Sequence, residues 1–374
     1  MKVAHLSDLH LGKRLNGFPL LDDQEYILEQ IIDICDDKNI DAVIIAGDIY
    51  DKSVPPAEAV KLFDKFITEL SERNLSTFII SGNHDSAERI AFGSRIMQAR
   101  KFYFSPVYNG ELTSATVTDE FGKVNFYLLP FVKPAVVRNI FNNDINDYTD
   151  AVRTAIANTS IDFSERNVLI AHQFVTGALR SDSEINPVGG LDNVDISVFD
   201  NFDYTALGHI HSPQSMSNKV RYSGSPLKYS FSEADHNKSV TIIELKEKGN
   251  IDISEIPLTP KHDIRILTGS YDELMSRNFY SSIEKEDYMK IILNDKTPIA
   301  YAINIMRDVY PNIMQLEYSF SSNSEFFIPE SYESKKLSEI ELASDFYSIR
   351  CGEEMTAEQS EIINQIIDRI KEGE

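Results

Sequence analysis

Cysteine is scarce: the 374 residues hold two, Cys35 and Cys351, far apart and outside any C-x-x-C pair. That spacing excludes a disulfide framework and a cysteine-built zinc knuckle. Cys35 falls in a helical stretch and reads as packing. Long apolar runs are missing too. The opening "MKVAHLSDLH" turns polar at Ser7 and Asp8, too early for a secretory signal, and no later run reaches membrane-spanning length. A soluble, cytoplasmic protein without membrane contact is expected. Positive charge is in short supply, with 36 Lys and Arg against 59 Asp and Glu and a formal net charge of −23. Affinity for nucleic acid rests largely on Lys and Arg contacts to phosphate, so this balance speaks against a chain that grips DNA unaided. Part of the excess is local, since residues 325–374 carry 13 acidic side chains against 5 basic ones. The sequence shows no internal repeat or low-complexity tract.

The length exceeds a single domain of about 100 to 200 residues, so more than one folding unit is expected. Strands alternate with helical periods through the first half: "KVAHLSD", a helix over about 23–38, "DAVIIAGD", a helix opening at Pro55-Pro56, then "STFIISGN". In the second of these helices Val60, Phe63, Phe66, Ile67 and Leu70 recur at helical spacing behind a proline in the first turn. Further strands are predicted at "VNFYLLP", "NVLIAHQ", "YTALGHIH", "VRYSGSP", "SVTIIEL" and "IDISEI", the later ones without long helices between them. The pattern predicts an α/β sandwich, doubly wound in its first part and more antiparallel toward its end. After Pro257 and Pro260 it resets to strand "IRILTG", helix "YDELMSRN", strand "YMKIILND", helix "IAYAINIMRDVY" and strand "IMQLEYSF". The remainder predicts two helices, about 334–349 and 356–371, with Gly352 as the stop between them. Ile362, Ile363, Ile366, Ile367 and Ile370 form an apolar stripe on the last, suited either to packing within the chain or to docking of a partner.

The stretch "FIISGNHDSAER", residues 78–89, runs from strand formers straight into Gly82, Asn83, His84 and Asp85. Alone, an Asn/Asp turn with an incidental histidine explains it equally well. Five of the eight histidines, however, fall at strand ends beside carboxylates or an amide: Asp8-Leu9-His10, Gly47-Asp48-Ile49-Tyr50-Asp51, Gly82-Asn83-His84-Asp85, His172 and Gly208-His209-Ile210-His211. Carboxyl ends of strands are where open α/β sheets bind ligands. On an extended chain the two-residue spacing of Asp8-x-His10 and His209-x-His211 sends both side chains to one side. Burying so many carboxylates and imidazoles without a cation would cost several kcal/mol per group. A metal removes that cost. The oxygen and nitrogen donors, without thiolate, favour Mn(II) over structural zinc and leave iron or zinc open. The donors outnumber the needs of one ion, which points to two divalent ions. Such a pair, roughly 3.5 to 4 Å apart, activates water and neutralises the attacking and leaving oxygens of a phosphate ester.

In that order and spacing the set resembles the calcineurin-like metallophosphoesterase superfamily. Within it, "SDLHLGKRLNGF", "HQFVTGALRSDSE" and "RYSGSPLKYSFSEADHNKSV" resemble the SbcD nuclease subunits of bacterial SbcCD double-strand-break repair complexes. The likeness spans most of residues 1–260; the rest is similar in layout only. It implies two mixed sheets flanked by helices over 1–260, an α+β capping domain over 261–325, and a helix pair over 326–374 that binds an ATPase partner. Asp8, His10, Asp48 and His211 would hold one ion, and Asp48, Asn83, His172 and His209 the other, with Asp48 bridging through its two oxygens. His84 would bind no metal and would face the scissile phosphate, its tautomer fixed by Asp85. Asp51 would orient its neighbours rather than ligate.

The same resemblance implies exonuclease action on duplex DNA ends and endonuclease action on single strands and hairpins, in repair, replication and recombination. It also implies a homodimer through the nuclease domain, inside a heterotetramer of two nuclease and two SbcC-type ATPase subunits. Lys13, Arg14, Arg89, Arg95, Arg100 and Lys101 follow the motifs closely enough to meet phosphates, although the last four equally suit an exposed helix face. Two rivals stay open. A phosphoprotein phosphatase or small-molecule phosphodiesterase would need the same metal core, and a decayed scaffold would keep metal and partner without turnover.

Overall fold

The strands read from the sequence assemble into two six-stranded sheets in the computed structural model of this chain, which describes residues 1–141, 144–184, 193–319, 339–351 and 354–372. The first sheet runs in the order Ile251–Pro257, Ser239–Leu245, Lys2–Leu6, Ala42–Ala46, Ser76–Ile80, Phe102–Phe104. Its last four strands are parallel, while Ser239–Leu245 is antiparallel to both neighbours. The second sheet runs Gln214–Ser215, Val220–Tyr222, Tyr204–Gly208, Arg166–His172, Gly122–Leu129, Thr113–Asp119. Four central strands are parallel and the two edges antiparallel, so both sheets are mixed.

Parallel strands buried on both faces read as continuous apolar runs, and "AVIIA" at Ala42–Ala46 is buried throughout. Ile44, Phe78 and Ile80 point from the first sheet into a core shared with Phe126, Val168 and Tyr204 of the second. Phe78 stacks on Phe126 with ring centroids 3.9 Å apart. The alternate residues Val43, Ile45 and Ile79 are equally buried on the opposite face. The helices Leu21–Lys38 and Ala57–Glu72 lie side by side, joined where Lys65 meets Glu25 and Glu29. With one face of the first sheet given to the second, the doubly wound expectation gives way to helices on one side only. The stripe of Ala57–Glu72 is also rotated from expectation. Ala59, Leu62, Phe63, Phe66 and Leu70 are buried and Val60 is exposed, and Leu62 lines a groove together with Leu28 and Ile32 of the neighbouring helix. Helices Pro134–Phe141 and Tyr148–Ala157 bury Val137, Ala151, Val152 and Ala155 in a separate core with second-sheet residues Leu129, Leu169 and Leu207.

The chain divides into two compact units, Met1–Ile264 and Arg265–Glu374. The second holds a three-stranded sheet in the order Ile264–Gly269, Tyr288–Leu293, Ile313–Tyr318, over a core of Leu274, Met289, Ile291, Met306 and Tyr310. The helix expected at "YDELMSRN" breaks into two single turns, Tyr271–Leu274 and Arg277–Tyr280, because the Ser276 hydroxyl accepts from the Phe279 amide and caps a new start. The helix expected at "IAYAINIMRDVY" shortens to Ala302–Met306 behind Tyr301, whose φ of 57° is left-handed. In the tail, helices Glu339–Cys351 and Ala357–Glu372 are tied by a hydrogen bond from Gln359 Nε2 to Tyr347 Oη, 2.9 Å. The expected start at 334, the Gly352 stop and the Ile370 side chain lie outside the described residues. Among the described residues, no helix is long and apolar enough to cross a membrane.

Candidate metal centre

Because Lys2–Leu6, Ala42–Ala46 and Ser76–Ile80 run parallel, the loops after them leave one edge of the first sheet, carrying Asp8, Asp48 and Asn83. Arg166–His172 and Tyr204–Gly208 run parallel in the second sheet and end on His172 and just before His209. Backbone and side-chain contacts join the two edges. The His209 amide donates to both oxygens of Asp8, at 3.1 and 3.2 Å. His172 Nδ1 lies 2.8 Å from the Ala46 carbonyl, and its Nε2 lies 3.0 Å from Asn83 Oδ1.

Side chains then converge. His10 Nε2 is 3.1 Å from His211 Nε2 and 3.8 Å from Asp48 Oδ2. His172 Nε2 is 3.3 Å from Asp48 Oδ2, and His209 Nδ1 is 2.9 Å from Asn83 Oδ1. Donor atoms of Asp8, His10 and His211 lie within 4.8 Å of one another, as do those of Asp8, Asp48 and His172 and those of His10, Asp48 and His84. Asp8, His10, Asp48, His172, His209 and His211 are buried, while Asn83, His84 and Asp85 are half-buried.

Left-handed backbone, rather than strand alternation, produces this convergence. Asp8, His10, Asp48 and His209 have φ of 54°, 44°, 49° and 101°, a region that L-residues occupy at a cost and that clusters at functional sites. The extended-chain reading of Asp8-x-His10 and His209-x-His211 is corrected accordingly. The turns need bare backbone beside them: a Cβ on Gly82 would stand 2.1 Å from Asp48 Oδ1, and one on Gly208 would stand 2.0 Å from the Ala46 carbonyl. Gln24 braces the first turn, with Oε1 accepting from the Gly12 amide and Nε2 donating to the His10 carbonyl.

Electrostatics fits a cation centre. Burial pushes Asp8 up to about 6. Burial opposes ionisation of Asp48 as well, yet His172, His10 and His84 hold it far below the usual carboxylate range. His172 resists burial through the Asp48 charge and rises to about 9. Burial and the neighbouring His172 lower His209 to about 3. The buried His10 Nδ1 makes no hydrogen bond. Seven oxygen and nitrogen donors, without sulfur, thus face one small buried volume, a chemistry that fits one or two divalent cations.

Two expectations change. The Asp85 oxygens accept from the amides of Ile49, Tyr50 and Gly82, at 3.1, 3.0 and 3.0 Å. Asp85 thereby stitches the Asp48 loop to the Asn83 loop, and it is the Asp51 carbonyl, 3.0 Å from His84 Nδ1, that sets the tautomer of His84. The Asp51 carboxylate pairs with Lys13 Nζ at 2.8 Å, and Arg14 donates to the Gly17 carbonyl, so both early cations are engaged within the chain. Arg89, Arg95, Arg100 and Lys101 are exposed on short helical turns beyond His84, with Phe92 and Ile96 exposed among them. Sequence reasoning gave no role to Ser183, Glu184, Glu233 and Lys238, which stand behind His211. They lie in "RSDSE" and "SFSEADHNK", stretches that carry a family likeness but no periodicity or metal-ligand spacing of their own.

The calcineurin-like phosphoesterase family matches residues 1–213, and a family described as the type 5 capsule protein repressor C-terminal domain matches residues 260–350. The SbcD component of nuclease SbcCD from Staphylococcus epidermidis is 32% identical over 381 residues, covering 100% of both chains. Its counterpart from Staphylococcus saprophyticus is 33% identical over 380 residues, covering 100% of this chain and 99% of its own. Among solved structures, a dimetal phosphatase from Danio rerio aligns with a TM-score of 0.40 and 11% identity over 69% of this chain and 98% of that one, a likeness too slight to carry weight. The chain belongs to the calcineurin-like phosphoesterase family, in the branch formed by the SbcD components of SbcCD nucleases.

Proposed function

We propose that this chain is a metal-dependent DNA phosphodiesterase, an exonuclease on duplex ends and an endonuclease on single strands and hairpins. The observation that carries the reading is the convergence of Asp8, His10, Asp48, Asn83, His172, His209 and His211 beside His84 at the joined edges of two sheets. Asp8, His10, Asp48 and His211 would hold one Mn(II), and Asp48, Asn83, His172 and His209 a second. The ions, when bound, supply an activated water and neutralise charge on the phosphate. This chain's own part is to present His84. With Nδ1–H donating to the Asp51 carbonyl, the Nε2 edge is left for substrate, where the ring, when it carries a second proton on Nε2, would stabilise the transition state or protonate the leaving oxygen.

A net charge of −23 is a poor basis for holding DNA, so affinity for it would come from an assembly with an SbcC-type ATPase, two copies of each chain. The tail helix Ala357–Glu372, with Ile362 and Ile366 exposed, is the surface proposed for that partner. Action in repair, replication and recombination and dimerisation through the nuclease unit belong to the same reading. Mn(II)-dependent cleavage of a hairpin oligonucleotide, run beside hydrolysis of a chromogenic phosphate ester, is the test. Hydrolysis of the ester alone would favour the phosphatase rival, and no turnover of either would favour the scaffold.

A further inference from the structure

We infer that Glu233 is the positioning residue of His211, taking the imidazole's Nδ1 proton as a hydrogen-bond acceptor and thereby turning the Nε2 lone pair toward the ion held with Asp8 and His10. The inference rests on the two-ion reading above. Glu233 Oε1 lies 3.1 Å from His211 Nδ1, and Ser183 Oγ lies 2.9 Å from the same nitrogen. The shortest contact of that hydroxyl is with Glu233 Oε1, at 2.5 Å, so its single proton goes to the carboxylate. Nδ1 then faces two acceptors and must carry the proton itself.

Glu233 is fully buried, and Lys238 Nζ, 2.6 Å from its other oxygen, keeps it charged. Lys238 also donates to the His211 carbonyl at 2.8 Å, while Glu184 accepts from the His211 amide at 2.7 Å. Ring, amide and carbonyl of one histidine are thus each fixed by a charged side chain. The histidines proposed for the other ion are held differently among the described residues, His172 leaning its Nδ1 on a backbone carbonyl and His209 its Nδ1 on Asn83 Oδ1. A carboxylate behind an imidazole raises its basicity as a ligand, and losing such a partner typically weakens metal binding about 10- to 100-fold. The two ion positions would therefore differ in strength, with Glu233 governing one of them.

The test is Glu233→Gln in the full chain, which keeps the volume, titrated with Mn(II) by calorimetry and followed by electron paramagnetic resonance. One of two binding events should weaken about 10- to 100-fold while the other holds, and the spin-coupled signal of a Mn(II) pair should give way to that of an isolated ion. A merely structural ion pair would lower thermal stability and leave both events unchanged, which overturns the inference alone. An unsubstituted chain that takes up no Mn(II) pair overturns the two-ion reading with it. Should the variant fail to fold, 15N spectra of the histidine-labelled unsubstituted chain decide the matter. A His211 protonated at Nδ1 supports the inference, and one protonated at Nε2 overturns it.

Discussion

The backbone amide of His84 donates to Asp48 Oδ1 at 2.8 Å. The residue proposed to act on the phosphate thus also orients the carboxylate proposed to bridge the ions. Since the contact is made by backbone, replacing the ring leaves it intact. His84→Asn should keep both Mn(II) ions and lose about 10²- to 10⁴-fold in single-turnover hairpin cleavage. Metal content measured on the same preparation is the control. A parallel fall in bound Mn(II) would make the imidazole a ligand, as its nearness to His10 and Asp48 would permit.

Asp85 yields a different signature. With its two oxygens bound to three amides, Asp85→Asn strands at least one buried N–H, a loss of about 1 to 3 kcal/mol. Urea denaturation should register this loss, along with weaker Mn(II) binding as the two loops part. A variant of unchanged stability whose turnover alone collapses would restore the tautomer role.

The response to pH follows from three groups. Burial, helped in Asp85 by the Asp48 charge, pushes Asp8 and Asp85 up to about 6 from 3.8. A carboxyl raised in the folded state contributes stability that is full below its unfolded value and lost as pH rises through about 6. His172, lifted by Asp48 against burial to about 9 from 6.5, contributes stability that is full below 6.5 and lost as pH rises through about 9. Asp8 and His172 must both give up a proton to hold a cation, so Mn(II) affinity rises over the same span. The thermal shift on adding Mn(II) should therefore widen from about pH 5 to about pH 9. Differential scanning fluorimetry checks this, and a constant shift would contradict it.

The tail separates partner binding from chemistry. Ile362 and Ile366 lie on one face of Ala357–Glu372, four residues apart and exposed. Ile362→Asp combined with Ile366→Asp should abolish co-purification with an SbcC-type ATPase and leave ester hydrolysis by the isolated chain within about twofold, because surface charges away from packed groups change little. Loss of both together would place the stripe in this chain's own packing.

Much of this was legible in the sequence because strand ends announce themselves. "AVIIA" and "TFII" are long enough to be buried strands, and the polar residues after them had nowhere to go except the edge of a sheet. Local patterns do not specify how a turn is wound. The left-handed φ of Asp8, His10 and Asp48 arises from hydrogen bonds between loops, such as Asp8 N to the Gly47 carbonyl and His10 N to the Asp48 carbonyl. Glu233 was equally hidden, lying 22 residues beyond His211 in a stretch without periodicity, and only the folded chain brings the two together. The two mixed sheets flanked by helices were read from the family likeness and are found in the structure; periodicity alone does not reveal them, because a helix-covered face and a sheet-covered face demand the same apolar residues, as Val43 and Ile44 show.

A crystal of the full chain soaked with Mn(II), with anomalous differences collected at the manganese edge, tests the central claim most directly. Two peaks are expected, both in contact with Asp48, one also with Asp8, His10 and His211 and the other also with Asn83, His172 and His209. A single peak, or none within reach of Asp48, would contradict it.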